Sequence, residues 1–575
     1  MNRKGLAVGL ILLFVGTSAI PLTAQNIGKP SLPTSRGNWL YVGGDGPGNY
    51  TRIQDAINDS SDGDTVFVYN DHSPYNENIV VSVSISLIGE DKSSTIVDGT
   101  DKDDVFRLLK DKIEINGFTI RNGNQPSTRL SGIDIQSCNN SITNNIILNN
   151  HIGIWLSQAN NHYNVISNNI IKGSAEEGIW LYASHNNIIS NNTIIENTGA
   201  GLLLYGSSNC NLVADNNISK NGEEGIYSNG CNNNTIIRNT FTSNTKNGFC
   251  GLSLIDYNFS NNYFRDNVGG LEIDYSIKRG MIRNNVFIND GYLGLVHNNI
   301  FYNNTVNGRP MLFLSNEHDR VIEGDVGQVL IDNCSNLTLQ NLVISHTASA
   351  ILLDGSENCR VKNNILTFND VGIYISLSCK NNAILNNKFS QNSNGITIYS
   401  FNNLISENNI TFNDNGIFQE NYGGNNNISY NYFSNNKKAI CMNNAYNCTF
   451  KNNIITSNDE GIVLSEIYDF LIIGNEISDN KKGIYISNLF KDTSSRIINN
   501  NFFRNLRHVK FLSTLPLFKP SKWDSNYWDN YHGSGPKLFV GLFAYYVWIY
   551  YQYNTILVIP WIEADWHPAQ VPYNI

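Results

Sequence analysis

One feature limits what this chain can fold into: an asparagine returns every 22 to 25 residues, in two long series. The first runs Asn145, Asn169, Asn192, Asn217, Asn239, Asn262 and Asn285. The second runs Asn341, Asn364, Asn387, Asn409, Asn431, Asn453 and Asn475. In most units a Gly follows the asparagine by seven to nine residues and opens an apolar run, as at Gly178-Ile179 and Gly372-Ile373. A repeat of this length marks a solenoid, whose units stack because none can bury its apolar side alone.

Each unit reads as short strands. Ile179-Trp180-Leu181-Tyr182 alternates, so Ile179 and Leu181 share one face and Trp180 takes the other. The Gly before this strand and the Asn of each unit both tolerate the left-handed backbone of a tight corner. Stacking at about 4.8 Å merges the apolar faces into one core and lets columns of Asn side chains bond up and down. A drifting period fits variable corners, whereas a hexapeptide β-helix keeps a strict one. The expected fold class is therefore all-β. It is a single-stranded right-handed parallel β-helix of about 22–24 residues per coil, on one axis from residue 63 to about 515. A short helical cap is expected at its N-terminus and an aromatic cap at its C-terminus.

Composition agrees. Charged residues make up 15% of the 575, below the usual quarter, and 41% apolar content is too high for disorder. A net charge of −10 without a basic stripe argues against nucleic acid as a partner.

The frame divides the chain. Residues 1–24 read as an export signal, with Arg3 and Lys4 before the uncharged stretch Gly5 to Ala24. Leu22 makes the cleavage site imperfect, so an uncleaved anchor is the alternative. Either way the expected location is secreted or cell-surface. Residues 25–48 form a linker and first strand, and 49–130 a cap and first irregular coils. The cap is an amphipathic helix over 49–58 with Ile53, Ala56 and Ile57 on one face, capped by Asn49 or Thr51. Residues 131–289 are the first regular array and 336–515 the second. Between them, 290–335 loses the frame and either loops out or forms distorted coils. Residues 516–575 hold five of the eight tryptophans. Their uncharged run Leu538 to Ile562 is too rich in tyrosine for a transmembrane helix and reads as a cap.

Three groups of residues carry possible chemistry. Glu317, His318, Asp319 and Arg320 are the densest mix of acid, base and imidazole, and the candidate catalytic set; the plainer reading is a charged loop. Glu177 and Glu224 fall two coils apart, about 9.6 Å, near the carboxylate spacing of inverting glycosidases, but read as solvated corner charge. Trp155, Trp180, Tyr182, Tyr205 and Tyr227 follow the Gly-Ile positions and would form a stacking rail for sugar rings, or simply shield the sheet. The nine cysteines show no paired spacing and read as free thiols. Counting back seven residues from four successive asparagines gives Cys138, His162, His185 and Cys210, donors that suit copper or zinc. Calcium would require clustered acidic oxygens.

The opening Thr51-Arg-Ile-Gln-Asp-Ala-Ile57 to Ile85-Ser-Leu-Ile-Gly-Glu90 and the mid-chain Asn307-Gly-Arg-Pro310 to Asn336-Leu-Thr338 resemble archaeal NosD-like β-helix proteins. So does the tail Ile559 to Pro568. They belong to a wider group of carbohydrate-binding proteins and sugar hydrolases. The resemblance implies an exported protein that binds polysaccharide or glycoprotein glycans, or serves the cell envelope. The alternatives are a polysaccharide lyase or hydrolase, and a copper accessory protein of the NosD type. No catalytic signature transfers to a position here, so the balance leans against catalysis.

Overall fold

The computed structural model describes residues 37–124, 129–159, 161–273, 279–420, 422–488, 495–513, 522–549 and 552–575. The expected export signal lies outside them. The chain winds as a right-handed parallel β-helix of about 20 turns. Most coils carry three short strands, for example Val165–Ser167, Ile170–Lys172 and Ile179–Tyr182. Each strand pairs in parallel with its counterpart one coil on, which makes three sheets along the axis, called here first, second and third. Ile166, Ile171, Ile179 and Leu181 point inward and are fully buried.

The doubled asparagines divide two tasks. The first of each pair turns the corner: Asn144, Asn168 and Asn191 take φ of 57°, 58° and 55°, which asparagine tolerates better than most residues. The second enters the core as a rung. In Asn169 the backbone N–H and the side-chain Nδ2 both donate to Oδ1 of Asn192, at 3.0 and 3.1 Å. The same Nδ2 donates to the Ile142 carbonyl of the preceding coil at 2.8 Å. This pattern repeats from Asn145 to Asn304 and from Asn364 to Asn526. Parallel ladders run through Asn140 to Asn234 and Asn197 to Asn267.

Three rungs differ from the sequence-based series. Asn216 and Asn408 occupy the ladder while Asn217 and Asn409 are exposed strand residues. Leu342 stands inside where Asn341 was expected, and Asn341 is an exposed corner with φ 57°. Doubled residues make the register ambiguous by one, and one residue separates the core face from solvent.

The glycines also act differently from expectation. Gly178 carries no left-handed φ. A Cβ there would lie 2.7 Å from both the Gly201 carbonyl oxygen and Ile194 Cγ2. It is required by close approach of the coils; the left-handed corner belongs to the residue before each rung.

Along each ladder the backbone N–H and Nδ2 of one rung donate to the Oδ1 of the next rung, so the last rung has only to accept from the one before. In two ladders an aspartate does so. Asp290 accepts from the N–H and Nδ2 of Asn267 at 3.0 and 2.7 Å. Asp565 Oδ2 accepts from the N–H and Nδ2 of Asn526, and from Trp528 Nε1 at 3.1 Å.

The expected single axis does not hold. The first and third sheets of the first array end at Ile300–Tyr302 and Tyr292–Gly294. The second sheet passes into an antiparallel turn at Asn307-Gly308, joining Thr305–Val306 to Arg309–Ser315. The segment 290–335 thus forms distorted coils and a reversal. The new array's strands Gln328–Asp332 and Ser349–Asp354 are buried on both faces. Val329, Ile331, Ile351 and Leu353 face the second core, but Leu330 and Leu352 pack into the first. The side of the second stack therefore seals the end of the first. Tyr292 is wholly buried at this seam, its backbone exchanging two hydrogen bonds with the Gln328 amide at 3.0 and 2.6 Å. A β-stack left open would expose a template for aggregation.

The outer ends are closed as expected. Helix α1, Ile53–Asn58, buries Ile53, Ala56 and Ile57. Its cap is neither Asn49 nor Thr51: the Glu77 carboxylate accepts from the N–H groups of Ile53 and Gln54 at 2.8 and 3.1 Å. At the far end Trp523 and Trp528 are buried, and Trp528 stacks on Phe502 at 4.2 Å. An antiparallel ribbon of Lys537–Ile549 and Gln552–Asp565 covers them.

Burial pushes the Asp290 carboxyl up to about 7. A carboxyl raised above its unfolded value of about 3.9 binds its proton more tightly in the folded chain. Its contribution to stability is full below about pH 4 and lost as pH rises through 7. Melting temperature should therefore fall between pH 5 and pH 8, and fall less in Asp290→Asn, whose amide continues the ladder. An identical fall in both proteins would contradict this.

Candidate functional site

The third sheet of the first array presents the chemically richest face. Its strands Ser131–Ile135, Ile152–Leu156, Ile179–Tyr182, Leu202–Tyr205 and Ile226–Asn229 alternate inward aliphatics with outward residues. Register places Asp134, Trp155, Trp180, Leu203 and Tyr227 in one outward column. Two residues further along the strand, Tyr182 and Tyr205 form a second column. The five aromatic residues expected as one rail thus split into two. Trp155 and Trp180 stack with centroids 5.5 Å apart and planes 24° apart; Tyr182 and Tyr205 stack at 6.4 Å and 25°.

The columns differ in access. Tyr182 and Tyr205 are 41% and 44% exposed, while Trp180 is only 8% exposed beneath the Arg129 guanidinium, 4.8 Å from its ring centroid. Arg129 also lies 3.7 Å from Glu176, which faces His151 at 3.4 Å.

Two carboxyl groups flank the tryptophans. Burial pushes Asp134 up to about 6, against the opposing effect of hydrogen bonds from Ser157 and Gln136 and of the Arg107 charge. Burial pushes Glu177 up to about 7. Glu177 Oε2 and the indole nitrogens of Trp155 and Trp180 are buried without a hydrogen-bond partner. Glu177 is therefore not the solvated corner charge read from the sequence, and neither is Glu224, which is buried beside Lys246 at 3.5 Å. Asp134 and Arg129 were missed. Asp134 sits in an alternating strand as an ordinary outward polar residue, and only the stacked neighbours reveal its burial.

The other candidates are placed differently. Glu317, His318, Asp319 and Arg320 sit on an exposed corner and pair among themselves, Arg320 with Glu317 at 3.0 Å and His318 with Asp319 at 3.1 Å. Cys138, His162 and His185 share a column, but Cys210 is an exposed corner residue with φ 56°. Asn209 takes its place, for the same one-residue reason as Asn216. Within the column each side chain accepts a backbone N–H from the next coil: Cys138 Sγ from His162 at 3.4 Å, His162 Nδ1 from His185 at 3.3 Å, His185 Nδ1 from Asn209 at 3.1 Å. A neutral imidazole whose Nδ1 accepts carries its proton on Nε2 and keeps no lone pair for a metal. Burial, then His162, lowers the His185 pKa and favours that neutral form. Among the described residues no three His, Cys, Asp or Glu side chains gather as a metal-binding group. Among the described residues, those present do not fit a copper or calcium centre. None of the nine cysteines is bridged.

The model of the right-handed β-helix region matches residues 201–316 and 381–509. No curated protein matches the chain. Among solved structures it is similar to the catalytic unit of a thermostable GH87 α-1,3-glucanase from Streptomyces thermodiastaticus strain HF3-3. Identity there is 15%, over 60% of this chain and 61% of that one, with a TM-score of 0.33. The Dettilon tailspike protein gives 15%, 65%, 67% and 0.27 in the same order. The mannuronan C-5 epimerase AlgE6 A-module of Azotobacter vinelandii gives 11%, 80%, 90% and 0.22. Likeness at this level says nothing about activity. The NosD model, described as periplasmic copper-binding protein, matches residues 57–250 and 318–440, more than half of the chain, which therefore belongs to the NosD family.

Proposed function

We propose that this NosD-family solenoid acts outside the cytoplasm and binds carbohydrate chains along the third-sheet face of its first array. The double aromatic column carries the reading, with Tyr182 and Tyr205 exposed beside the Trp155–Trp180 stack. Sugar rings offer C–H faces that pack on aromatic rings, and hydroxyls that both donate and accept hydrogen bonds. The unpartnered indole N–H groups and Glu177 oxygen at this face match those hydroxyls, and leaving each unsatisfied costs about 1–3 kcal/mol. The family's periplasmic description supports the extracytoplasmic location. Among the described residues no helix is long and apolar enough to cross a membrane.

A second reading, cleavage of the bound glycan, draws on one observation. Asp134 and Glu177 are held near 6 and 7, where a carboxyl can serve as a general acid. The copper reading has the family description behind it but lacks a fitting donor set among the described residues.

A glycan array followed by product analysis separates these readings. Binding should weaken about tenfold or more in Tyr182→Ala/Tyr205→Ala, since aromatic contacts contribute about 0.5–1.5 kcal/mol each. Failure to retain any glycan, or unchanged affinity in the double variant, would contradict the binding face. Release of reducing ends or unsaturated uronates, lost in Asp134→Asn, would establish cleavage instead.

A further inference from the structure

We infer that the elbow between the two arrays holds a subsite for one uncharged sugar ring, where the third-sheet face of the first array ends; this rests on the carbohydrate reading of that face. The outward column that begins with Asp134 and the tryptophans continues past Tyr227 through Cys250, Glu272 and Leu293. Leu293 is three coils beyond Tyr227, about 14 Å at roughly 4.8 Å per coil. There the column meets the side of the second array.

The seal itself supplies the wall. Leu330 and Leu352, which close the first core, stand in one column of the second array. That column runs on through Tyr374, Thr397 and Phe418. Tyr374 still packs against the first core, and the next two residues carry the wall past it. With Glu272, Leu293 and Asp370 these side chains line a cleft of about 270 Å³. Pockets for drug-sized ligands run from about 300 to 1,000 Å³, so this one has room for a single ring. A glycan chain lying along the face must end here.

The lining offers what a sugar ring needs. Tyr374 and Tyr399, with centroids 5.6 Å apart, and Phe418 are half-buried rings on which a pyranose C–H face packs. Thr397 is 3% exposed, and its Oγ1 is buried without a hydrogen-bond partner. Buried hydroxyls are ordinarily paired, so one left over in a cavity wall marks where a ligand hydroxyl bonds. Charge then selects the class of sugar. Glu272 and Asp370 line the cleft, and no Lys, Arg or His does. Carboxyl groups without a cation disfavour uronate, sulfate and phosphate groups. Both already accept a hydrogen bond, Glu272 from Asn247 and Asp370 from Ser393. Burial favours the uncharged form of Asp370, which gives a cationic ligand little to pair with.

Saturation-transfer NMR of the full chain with glucose, galactose, mannose, N-acetylglucosamine and glucuronate tests this. At least one neutral sugar should bind, and glucuronate at least tenfold more weakly. Thr397→Val removes an unpartnered hydroxyl and keeps the side-chain shape, so it should fold as the parent does. It should weaken the neutral sugar about fivefold or more, because a ligand hydroxyl loses its partner. Leu293→Trp, filling the cleft from the opposite wall, should abolish binding. Binding of no sugar, equal binding of glucuronate, or undiminished binding in either variant would overturn the subsite. Binding lost in Tyr182→Ala/Tyr205→Ala and kept in Thr397→Val would also overturn it, while leaving the carbohydrate face standing. Binding that Thr397→Val weakens, in a protein that retains no glycan on the array, would keep the subsite and reject the face.

Discussion

The asparagine amide is the interaction on which this architecture rests. A coil of three short strands has too little apolar surface to hold its own shape, and its corners would leave backbone groups unpaired in the interior. The buried amide answers both problems. Its oxygen accepts from the preceding coil, and its nitrogen reaches back to a carbonyl there and forward to the next oxygen. Each rung thus fixes the register of its neighbours, and a ladder of them fixes the stack.

The same geometry gives the solenoid a direction. Because the donors between rungs point one way, two of the ladders end at Asp290 and Asp565, which accept from the rung before them. Ends are also where the fold becomes irregular. The first stack is sealed by the flank of the second through Leu330 and Leu352, and the second by Trp523, Trp528 and the ribbon. The richest chemistry lies away from these ends, on a regular face. There stacked coils bury Asp134 and Glu177 beside paired tryptophans, which no single coil could do.

Much of this was legible in the sequence, because period and alternation are local properties. The coil length, the inward aliphatics such as Ile179 and Leu181, helix α1 and the aromatic cap all follow from neighbouring residues. What was not legible depends on register between coils. Asn216 and Asn217 are chemically identical, and nothing local says which turns inward. The same slip exchanged Asn209 for Cys210 and dissolved the four-residue metal column. The reversal at Asn307-Gly308 was visible only as a lost frame, since its sealing role arises from contacts such as Tyr292 with Gln328. The burial of Asp134 and Glu177 likewise comes from stacking and not from their own strands.

The central claim is that the amide ladder sets the stack, and adjacent residues allow it to be tested without changing composition. Thermal or denaturant unfolding of Asn216→Leu and Asn217→Leu compares a rung with its exposed neighbour. Asn216 donates to Ile189, Ala214 and Asn239 and accepts from Asn192. Its loss should cost about 1–3 kcal/mol or more as buried partners go unsatisfied, while Asn217→Leu should stay within about 0.5 kcal/mol of the parent. Equal stability of the two variants, or a larger loss at Asn217, would contradict the account.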